Sequence, residues 1–200
     1  MRIEKDFLGE IEIPDELYYG VQTTRALHNF SITGHVINED FIVALAIVKA
    51  AAARANMRTG RMPAVIGGAI VKAAEEIIAG QWQNQFVVDC IQGGAGTSMN
   101  MNANEVIANR ALEILGEPKG NYALISPNNH VNMAQSTNDV IPTAIRICTI
   151  RKARKMIEAL AALAAAFQDG THSSAGCGAD HAGAGVPGLR RSDQALDAAD

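Results

Sequence analysis

Gln92-Gly93-Gly94-Ala95-Gly96-Thr97-Ser98-Met99-Asn100-Met101-Asn102 is the stretch that decides the fold. A glycine-rich turn leads into hydroxyl and amide residues and then into an apolar-periodic segment, which predicts a helix. Three glycines in four positions allow the backbone to approach a ligand closely. The helix points its free N–H groups and the positive end of its dipole at the turn. The sequence therefore predicts a binding site for a small anion that is lined by hydroxyls and has no obligatory cation.

Two nucleotide-binding motifs are excluded by the residues that follow the turn. A P-loop needs a lysine directly after its last glycine, where this chain has Thr97. A dinucleotide-binding fingerprint needs a further glycine three positions after Gly96, where this chain has Met99. Residues 86–91 could form a strand before the turn, but the βαβ context of such a fingerprint is lacking. A tight turn with a good N-cap and no ligand remains the alternative to an anion site.

A second polar cluster, NMAQSTND, precedes the next long helix and has six hydrogen-bonding side chains in eight positions. Asp139 or Asn138 is predicted to cap this helix, and Pro142 to lie in its first turn. Capping needs only one such group. The cluster has more uncharged hydrogen-bond donors than a helix cap requires, and such donors suit the binding and polarisation of a carboxylate. The candidate carboxylate-binding residues are Ser136, Thr137 and Asn138.

Composition and charge limit the classes of protein to which the chain can belong. Its 200 residues allow one domain or part of a larger one, and 48% hydrophobic residues suffice for a core. Only 4% are aromatic, so we expect an aliphatic, alanine-rich core of closely packed helices. The net charge of -4 argues against a nucleic-acid partner. We find no apolar run of membrane-spanning length and no signal peptide. The cysteines (Cys90, Cys148 and Cys177) match neither a disulfide set nor a metal motif and suit a reducing cytoplasm.

The segment before the glycine turn is predicted to pack and not to catalyse. Residues 2–14 alternate loosely and predict a β-hairpin or an extended arm, and residues 18–30 are expected to be a surface loop. Asn38 is a good cap for a helix that ends before Gly60. A second helix is predicted over residues 64–79. We expect these two helices to pack together and to do no chemistry.

The helix after the glycine turn is predicted to have an apolar stripe, with Glu105 and Arg110 on its solvated side. It also contains three asparagines, which are poor helix formers because they compete for the backbone: Asn100, Asn102 and Asn104. Their amides could fix the loop against neighbouring segments or bind substrate, and the commonness of buried amide networks favours the first.

Two features follow further along the chain. Residues 126–130 predict a turn, in which His130 could act as an acid or base by its intrinsic pKa but is more often structural. Residues 141–167 form the longest helical run. Its middle carries a basic patch that is solvated or faces a partner chain: Arg151, Lys152, Arg154 and Lys155.

Several motifs, in this order, resemble those of the fumarase/aspartase superfamily. The glycine turn reads G-G-A-G-T-S-x-N-M-N-x-N-E-V, and the second cluster reads H-V-N-x-x-Q-S-T-N-D. Residues 18–26, YYGVQTTRA, are similar as well. The sequence G-G-A-G-T-S and residues 119–122, KGNY, are closer to those of the aspartate ammonia-lyase branch than to those of the fumarases. The resemblance covers roughly the first five-sixths of the chain.

The resemblance implies a mainly α fold. This is the N-terminal domain of the fumarase/aspartase fold, with a short β-hairpin, followed by the start of the long central helical bundle. The implied N-terminal lyase domain covers residues 1–139, and the first bundle helix covers residues 140–168. Four subunits associate through that bundle in this superfamily, so a homotetramer is the implied assembly.

The chemistry that the resemblance implies is reversible elimination of ammonia from L-aspartate to give fumarate, with fumarate hydratase as the alternative. Thr97 would hold a substrate carboxylate, and a carboxylate or amine would be held by Ser136, Thr137 and Asn138. No metal or organic cofactor is implied. The family's base resembles a serine in an S-S-x-x-P-x-K-x-N-P loop, which these 200 residues do not contain. We therefore assign no catalytic base and expect little lyase activity, or a non-catalytic fragment that associates with full-length subunits.

Residues 169–200 differ in character and are predicted to be a disordered or aberrant tail. They contain six Gly and seven Ala and keep neither helical nor strand periodicity. One possible coding of the start of the family motif G-R-T-H-L-Q-D-A-V-P-I-T-L-G-Q-E-F, read out of frame, translates to residues 171–181 as they stand. We hypothesise that the tail is this motif in another frame, so Thr171 and His172 receive no family role. The gene sequence decides the question, because codons without the motif in any frame would refute the hypothesis.

Overall fold

A two-stranded hairpin opens the computed structural model, which describes the backbone of residues 1–174 and the side chains as far as residue 167. Strand β1 (Arg2–Asp6) pairs antiparallel with β2 (Gly9–Ile13), and Arg2 lies opposite Ile13. The tight reversal depends on Gly9, whose φ of 125° is rarely adopted by other residues. The Asp6 side chain also accepts the N–H of Leu8 at 2.9 Å. The predicted hairpin is confirmed.

Residues 18–30 were expected to form a surface loop, and this expectation was wrong, because they include helix α1 (Val21–Asn29). A distant carboxylate caps the helix. Glu105 accepts the N–H groups of Gly20, Gln22 and Thr23 at 2.8, 2.8 and 3.1 Å, and the Thr23 hydroxyl at 2.6 Å. An acid at a helix N-terminus is stabilising. The local sequence gives no sign of this cap because Glu105 lies 82 residues from Thr23.

Helices α2 (Glu39–Arg58) and α3 (Ala64–Ile78) follow and pack against each other. Asn38 caps α2 as predicted, because its Oδ1 accepts the N–H of Asp40 at 3.0 Å. Gly67 allows the two helices to approach closely, since a β-carbon there would lie 2.4 Å from Cγ of Met57. Both predicted helices are therefore confirmed.

Helix α4 (Thr97–Ile114) lies at the centre of the core, and every residue from Asn102 to Asn109 is buried. The prediction that Glu105 lies on a solvated side was wrong, because this helix has no solvated side there. Arg110 is half-buried, and its guanidinium bonds to Glu76 at 2.5 and 2.9 Å and pairs with Glu113. These carboxylates compensate for taking its charge out of water.

A single π-helical turn, Pro127–Val131, occupies the segment predicted to be a turn. Ser126 Oγ accepts the N–H of Asn129 at 3.1 Å, and Nδ1 of His130 accepts the N–H of Ser126 at 2.9 Å. His130 therefore closes the turn from within, which is the structural role that the sequence favoured.

The longest helix is α5 (Thr137–Ser174), which begins before and ends after the predicted limits. Pro142 consequently lies inside the helix and not in its first turn, which corrects the prediction. The basic patch is exposed. Three of its cations surround the Asp40 carboxylate, with Lys152 at 3.2 Å, Lys155 at 3.3 Å and Arg151 at 3.8 Å.

Residues Met1–Met156 form one compact unit, and a second begins at Ile157. Within the second unit α5 continues to Ser174, past the predicted boundary at residue 168, and it exposes Ile157, Leu160, Leu163 and Phe167. The rest of the predicted tail, residues 175–200, lies outside the described residues. Among the helices of the described part, none is long and apolar enough to span a membrane.

Candidate functional site

The glycine turn places three successive residues in the left-handed region, with φ of 62° at Gly94, 56° at Ala95 and 86° at Gly96. Helix α4 then starts at Thr97, and no side chain bonds to its first N–H groups. The hydroxyl of Thr97 donates to the Gly94 carbonyl at 2.7 Å. The first turn contains no acid. This N-terminus therefore offers backbone donors and a positive dipole end, and such an arrangement can bind a small anion.

The glycine turn packs directly on the beginning of α5. A β-carbon at Gly96 would lie 3.3 Å from Cγ1 of Ile141, which is tighter than ordinary contact. Glycine is thus needed at this buried position for two reasons, its positive φ and the space beside it. The contact brings the N-terminal ends of α4 and α5 next to each other.

Helix α5 is capped by Ser136, and not by Asn138 or Asp139 as the sequence predicted. Ser136 Oγ accepts the N–H of Asn138 at 3.2 Å, and Asp139 Oδ2 accepts the N–H of Ser136 at 3.1 Å. Such a reciprocal pair is a capping box. The predicted cap was wrong because the helix begins at Thr137, which puts Ser136 in the cap position.

A cleft of about 610 Å³ opens where the two helix N-termini meet. Its volume lies in the range of small-molecule sites. Its wall is mostly apolar, with three polar side chains, and is formed by Ile37, Asn38, Phe41, Cys90, Gln92, Ala95, Gly96, Met99, Asn138, Ile141, Pro142 and Ile145. Pro142 has no N–H, so it cannot donate the usual helical hydrogen bond to the Asn138 carbonyl four residues earlier.

The four predicted substrate-binding residues lie at these two helix N-termini, but only Asn138 belongs to the cleft wall. Thr97 and Ser136 are exposed, and Thr137 is half-buried. The three hydroxyls already have partners within the chain, and that of Thr137 accepts from Nδ2 of Asn100 at 3.4 Å. The structure therefore gathers the four residues at adjacent helix ends without directing all of them into one cavity.

Asn100 connects the two helix ends. From its buried position on α4, its Nδ2 lies 3.2 Å from Oδ1 of Asn132 and 3.4 Å from Oγ1 of Thr137. Its own Oδ1 has no hydrogen-bond partner among the described residues. Asn102, in contrast, donates to the Gln85 carbonyl at 3.0 Å and accepts the N–H of Val87 at 3.1 Å. Asn102 thus fixes the preceding loop, as the sequence favoured, whereas Asn100 links the start of α4 to Asn132 and to Thr137 at the start of α5.

A buried lysine lies behind the second helix end. Lys49 Nζ donates to Oδ1 of Asn132 at 2.9 Å and to Oε1 of Gln135 at 3.0 Å, and the residue is 0% exposed. No carboxylate of the described residues lies within 4.0 Å of this ammonium. Burial lowers the pKa of Lys49 to about 7. The sequence analysis named no ionisable group at this place, where the structure has Lys49 bonded to the residue that precedes Ser136.

Sequence reasoning missed Lys49 because α2 was expected only to pack. A signal was present, since Leu45, Lys49 and Ala53 recur at four-residue steps along the buried face of α2. A lysine on such a face needs either a partner or a function.

Two other candidates contribute less. Burial lowers the pKa of His130, and its Nδ1 already closes the π-helical turn. No three His, Cys, Asp or Glu side chains within the described part of the chain are grouped so that they could hold a metal ion.

Most of the chain is similar in sequence to known lyases. Residues 9–175 match the model of the Lyase family. An aspartate ammonia-lyase from a Bacillus species is 62% identical over 158 residues, which are 79% of this chain and 34% of that protein. A class II fumarate hydratase from Halobacterium salinarum is 52% identical over 149 residues, which are 74% of this chain and 32% of that protein.

A solved structure is similar as well. The crystal structure described as fumarate lyase:delta crystallin from Brucella melitensis, in native form, matches with a TM-score of 0.83 and 52% identity. The match covers 84% of this chain and 38% of that one. The predicted fold class, mainly α with an N-terminal hairpin, is confirmed. The chain spans about a third of the length of the curated relatives it matches.

Proposed function

The chain belongs to the Lyase family, and we propose that it carries the dicarboxylate-binding part of an aspartate ammonia-lyase. The reaction is the reversible elimination of ammonia from L-aspartate to give fumarate. One observation supports this most directly: two helix N-termini bearing uncharged hydroxyl and amide groups meet at one cleft of about 610 Å³.

The chemistry explains why neutral donors suit the task. A base removes a proton from C3 of aspartate, and the electron pair moves onto the neighbouring carboxylate, which becomes a doubly charged aci-carboxylate. The pair then forms the C2–C3 double bond as the C2–N bond breaks and ammonia leaves. The difficult step is the extra charge on one carboxylate. Donors fixed in advance stabilise such charge, and each contributes about 3 kcal/mol in comparable oxyanion holes.

Each helix end would take one end of the substrate. Thr97 and the backbone N–H groups of the first turn of α4 bind one carboxylate, once the Thr97 hydroxyl leaves the Gly94 carbonyl. The other carboxylate or the amine is bound at α5. There Ser136 can donate its hydroxyl proton while its oxygen still accepts the N–H of Asn138. Thr137 and Asn138 complete that end of the site.

The proposal also covers the cofactor, the assembly and the location. The chemistry needs no metal or organic cofactor. We assign no base within these 200 residues. We propose a homotetramer as the assembly and the cytoplasm as the location. The tetramer rests on the resemblance to the fumarase/aspartase superfamily, and the location on cysteines that match no disulfide framework.

Fumarate hydration is the second candidate, and the 52% identity to a class II fumarate hydratase favours it. The two reactions share the dicarboxylate and differ in the leaving group. Relative binding of L-aspartate and L-malate separates them, because the aspartate enzyme is expected to prefer the ammonium-bearing ligand.

Ligand binding by the purified chain tests the proposal. Backbone amide signals of residues 97–99 and 136–139 are followed by NMR during titration with L-aspartate, L-malate and succinate, and propionate serves as the monocarboxylate control. We expect dicarboxylates to shift these signals, and the pair of substitutions Thr97→Ala and Ser136→Ala to weaken binding about tenfold or more. Thr149→Ala, which removes an exposed hydroxyl on α5, is the matched control. Unchanged dicarboxylate binding in the double variant would contradict the proposal.

A further inference from the structure

Lys49 is a buried ionisable group next to the site that the proposed chemistry does not use. Its ammonium is completely buried, and the described residues supply acceptors for two of its three N–H bonds, Asn132 Oδ1 and Gln135 Oε1. Both acceptors are neutral amides. A buried ammonium without a neighbouring carboxylate costs stability, so its presence calls for an explanation in function.

A short chain of hydrogen bonds links Lys49 to the site. Oδ1 of Asn132 accepts from Lys49 at 2.9 Å and from Nδ2 of Asn100 at 3.2 Å. Nδ2 of Asn100 in turn lies 3.4 Å from Oγ1 of Thr137. The ammonium is thus three hydrogen bonds from a hydroxyl at the N-terminus of α5. Gln135, its second acceptor, directly precedes the capping residue Ser136.

We propose that Lys49 is a positioning residue and the counter-charge of the dicarboxylate site, and that it takes up a proton from solvent when a dicarboxylate binds between the two helix N-termini. The inference rests on the proposed function, because it names the charge that the same site presents to its ligand. Lys49 holds Asn132 and Gln135 in place, and its positive charge attracts a dianion that it does not touch.

Among the described residues, no carboxylate near Lys49 is free to pair with its ammonium, so a bound dicarboxylate would supply the opposite charge. The charged groups on elements that pack against α2 are exposed or already bonded elsewhere. These groups are Lys72, which is exposed, Glu75 with Arg54, Glu76 and Glu113 with Arg110, Glu105 with the N–H groups at the start of α1, and His130 with Ser126. Asp139, at the start of α5, accepts the N–H of Ser136, and on α2 itself Asp40 pairs with the basic patch of α5.

Linkage then fixes the pH dependence. The pKa of Lys49 is lowered to about 7 by burial, so much of the unliganded protein is uncharged at this position above neutral pH. A bound dianion favours the charged form and raises this pKa, and by reciprocity the charged form binds the dianion more tightly. If ligand binding raises the pKa of Lys49 by one unit, the dissociation constant of the ligand is roughly tenfold larger above both pKa values than below them. Affinity is therefore expected to fall as pH rises through the neutral range.

Calorimetry with succinate, a dicarboxylate that cannot be eliminated, tests the inference on the whole chain. Binding heats are measured slightly above neutral pH in two buffers of different ionisation enthalpy, which gives the number of protons taken up. The unmodified chain is expected to take up a substantial fraction of one proton, and Lys49→Met none. Lys49→Arg stays charged, so it should bind without proton uptake and with an affinity that no longer falls with pH. Lys152→Met, on the exposed face of α5, should behave like the unmodified chain.

Each outcome has a distinct meaning. Proton uptake that persists in Lys49→Met overturns the inference and leaves the proposed function intact. No succinate binding at any pH overturns the proposed function and the inference with it. If the variants fail to fold, NMR titration of lysine 13Cε signals in the unmodified chain decides. A lysine with a midpoint near neutrality that moves upward with saturating succinate supports the inference, and an unmoved midpoint overturns it.

Discussion

Gly96 and Ile141 approach so closely that a single methyl group on Gly96 would lie 3.3 Å from Cγ1 of Ile141. This contact joins the turn before α4 to the second turn of α5, and both residues line the cleft. The proposed site therefore depends on one position that has no side chain. Its chemistry resides in the neighbours that this contact holds in place.

Gly96→Ala is expected to lower the free energy of unfolding by about 1–3 kcal/mol, since it adds strain at a φ of 86° and crowds Ile141. Urea denaturation measures the change. Gly68→Ala is the matched control, because Gly68 lies within α3 and its added β-carbon would meet nothing within 4 Å. That control should be neutral or stabilising. Equal destabilisation of both variants would contradict the account of Gly96.

Lys49 should give the chain a stability that increases with pH. Its pKa is about 7 in the folded state and near 10.5 when unfolded. Below pH 7 both states hold the proton and the full cost of burying the charge is present. As pH rises from about 7 towards 10.5, the folded state releases the proton while the unfolded state keeps it, so the free energy of unfolding increases, by on the order of a few kcal/mol.

Comparison with Lys49→Met isolates this contribution, because other titrating groups are the same in both proteins. Urea midpoints are measured at several pH values between neutral and alkaline. The difference in stability between the two proteins should change steadily with pH over this range. A difference that stays constant would mean that Lys49 does not titrate as described.

Glu105→Gln is expected to destabilise the start of α1 by about 2–4 kcal/mol. The carboxylate accepts three backbone N–H groups and the Thr23 hydroxyl, whereas an amide replaces one acceptor by a donor that faces those N–H groups. Amide hydrogen exchange should accelerate at Gly20, Gln22 and Thr23. Glu10→Gln, on the exposed side of the hairpin, is the control. Protection of α1 that survives the change would show that Glu105 is not its cap.

Ser136→Ala removes the cap of α5 and should cost about 0.5–2 kcal/mol. Ser136→Asn keeps a good capping acceptor and should restore most of the loss. Thermal denaturation compares the three proteins. If alanine and asparagine behave alike at this position, the capping assignment is incorrect.

Fumarate formation from L-aspartate by the purified 200-residue chain is expected to be absent or very slow. The resemblance puts the catalytic base in a serine loop that these residues do not contain. Ultraviolet absorbance of fumarate measures the rate, and protein prepared from a host without its own aspartate ammonia-lyase removes background. Rapid turnover under those conditions would require a base within this chain.

Elements governed by local patterns were predictable from the sequence. The hairpin, the α2–α3 pair and the Asn38 cap follow from short-range spacing and from the turn residues beside them. The failures at α1 and at Glu105 share a cause, since each depended on a partner far along the chain, whereas the cap of α5 and the place of Pro142 were wrong because the helix begins at Thr137. The loop expected over residues 18–30 became α1 because Glu105 supplies its cap, and Glu105 itself was expected to be solvated.

The candidate site was predicted in part. The two polar clusters were identified, and the structure brings their helix N-termini together. The residue that makes this possible, Gly96, was predicted for close approach to a ligand, whereas its observed neighbour is Ile141. Lys49 was missed because α2 was expected only to pack, although its spacing with Leu45 and Ala53 puts it on the buried face, and only the tertiary structure reveals its two amide partners.

Pro142 removes one hydrogen bond from the first turns of α5. Because it lacks an N–H, it cannot donate to the carbonyl of Asn138, four residues earlier, and both residues line the cleft. A carbonyl of this kind favours a cationic nitrogen over a hydroxyl oxygen, since the nitrogen brings both protons to donate and a charge of opposite sign. Under the proposed function, the Asn138 carbonyl is then a candidate acceptor for the substrate amine, through the hydrogen bond that Pro142 cannot make.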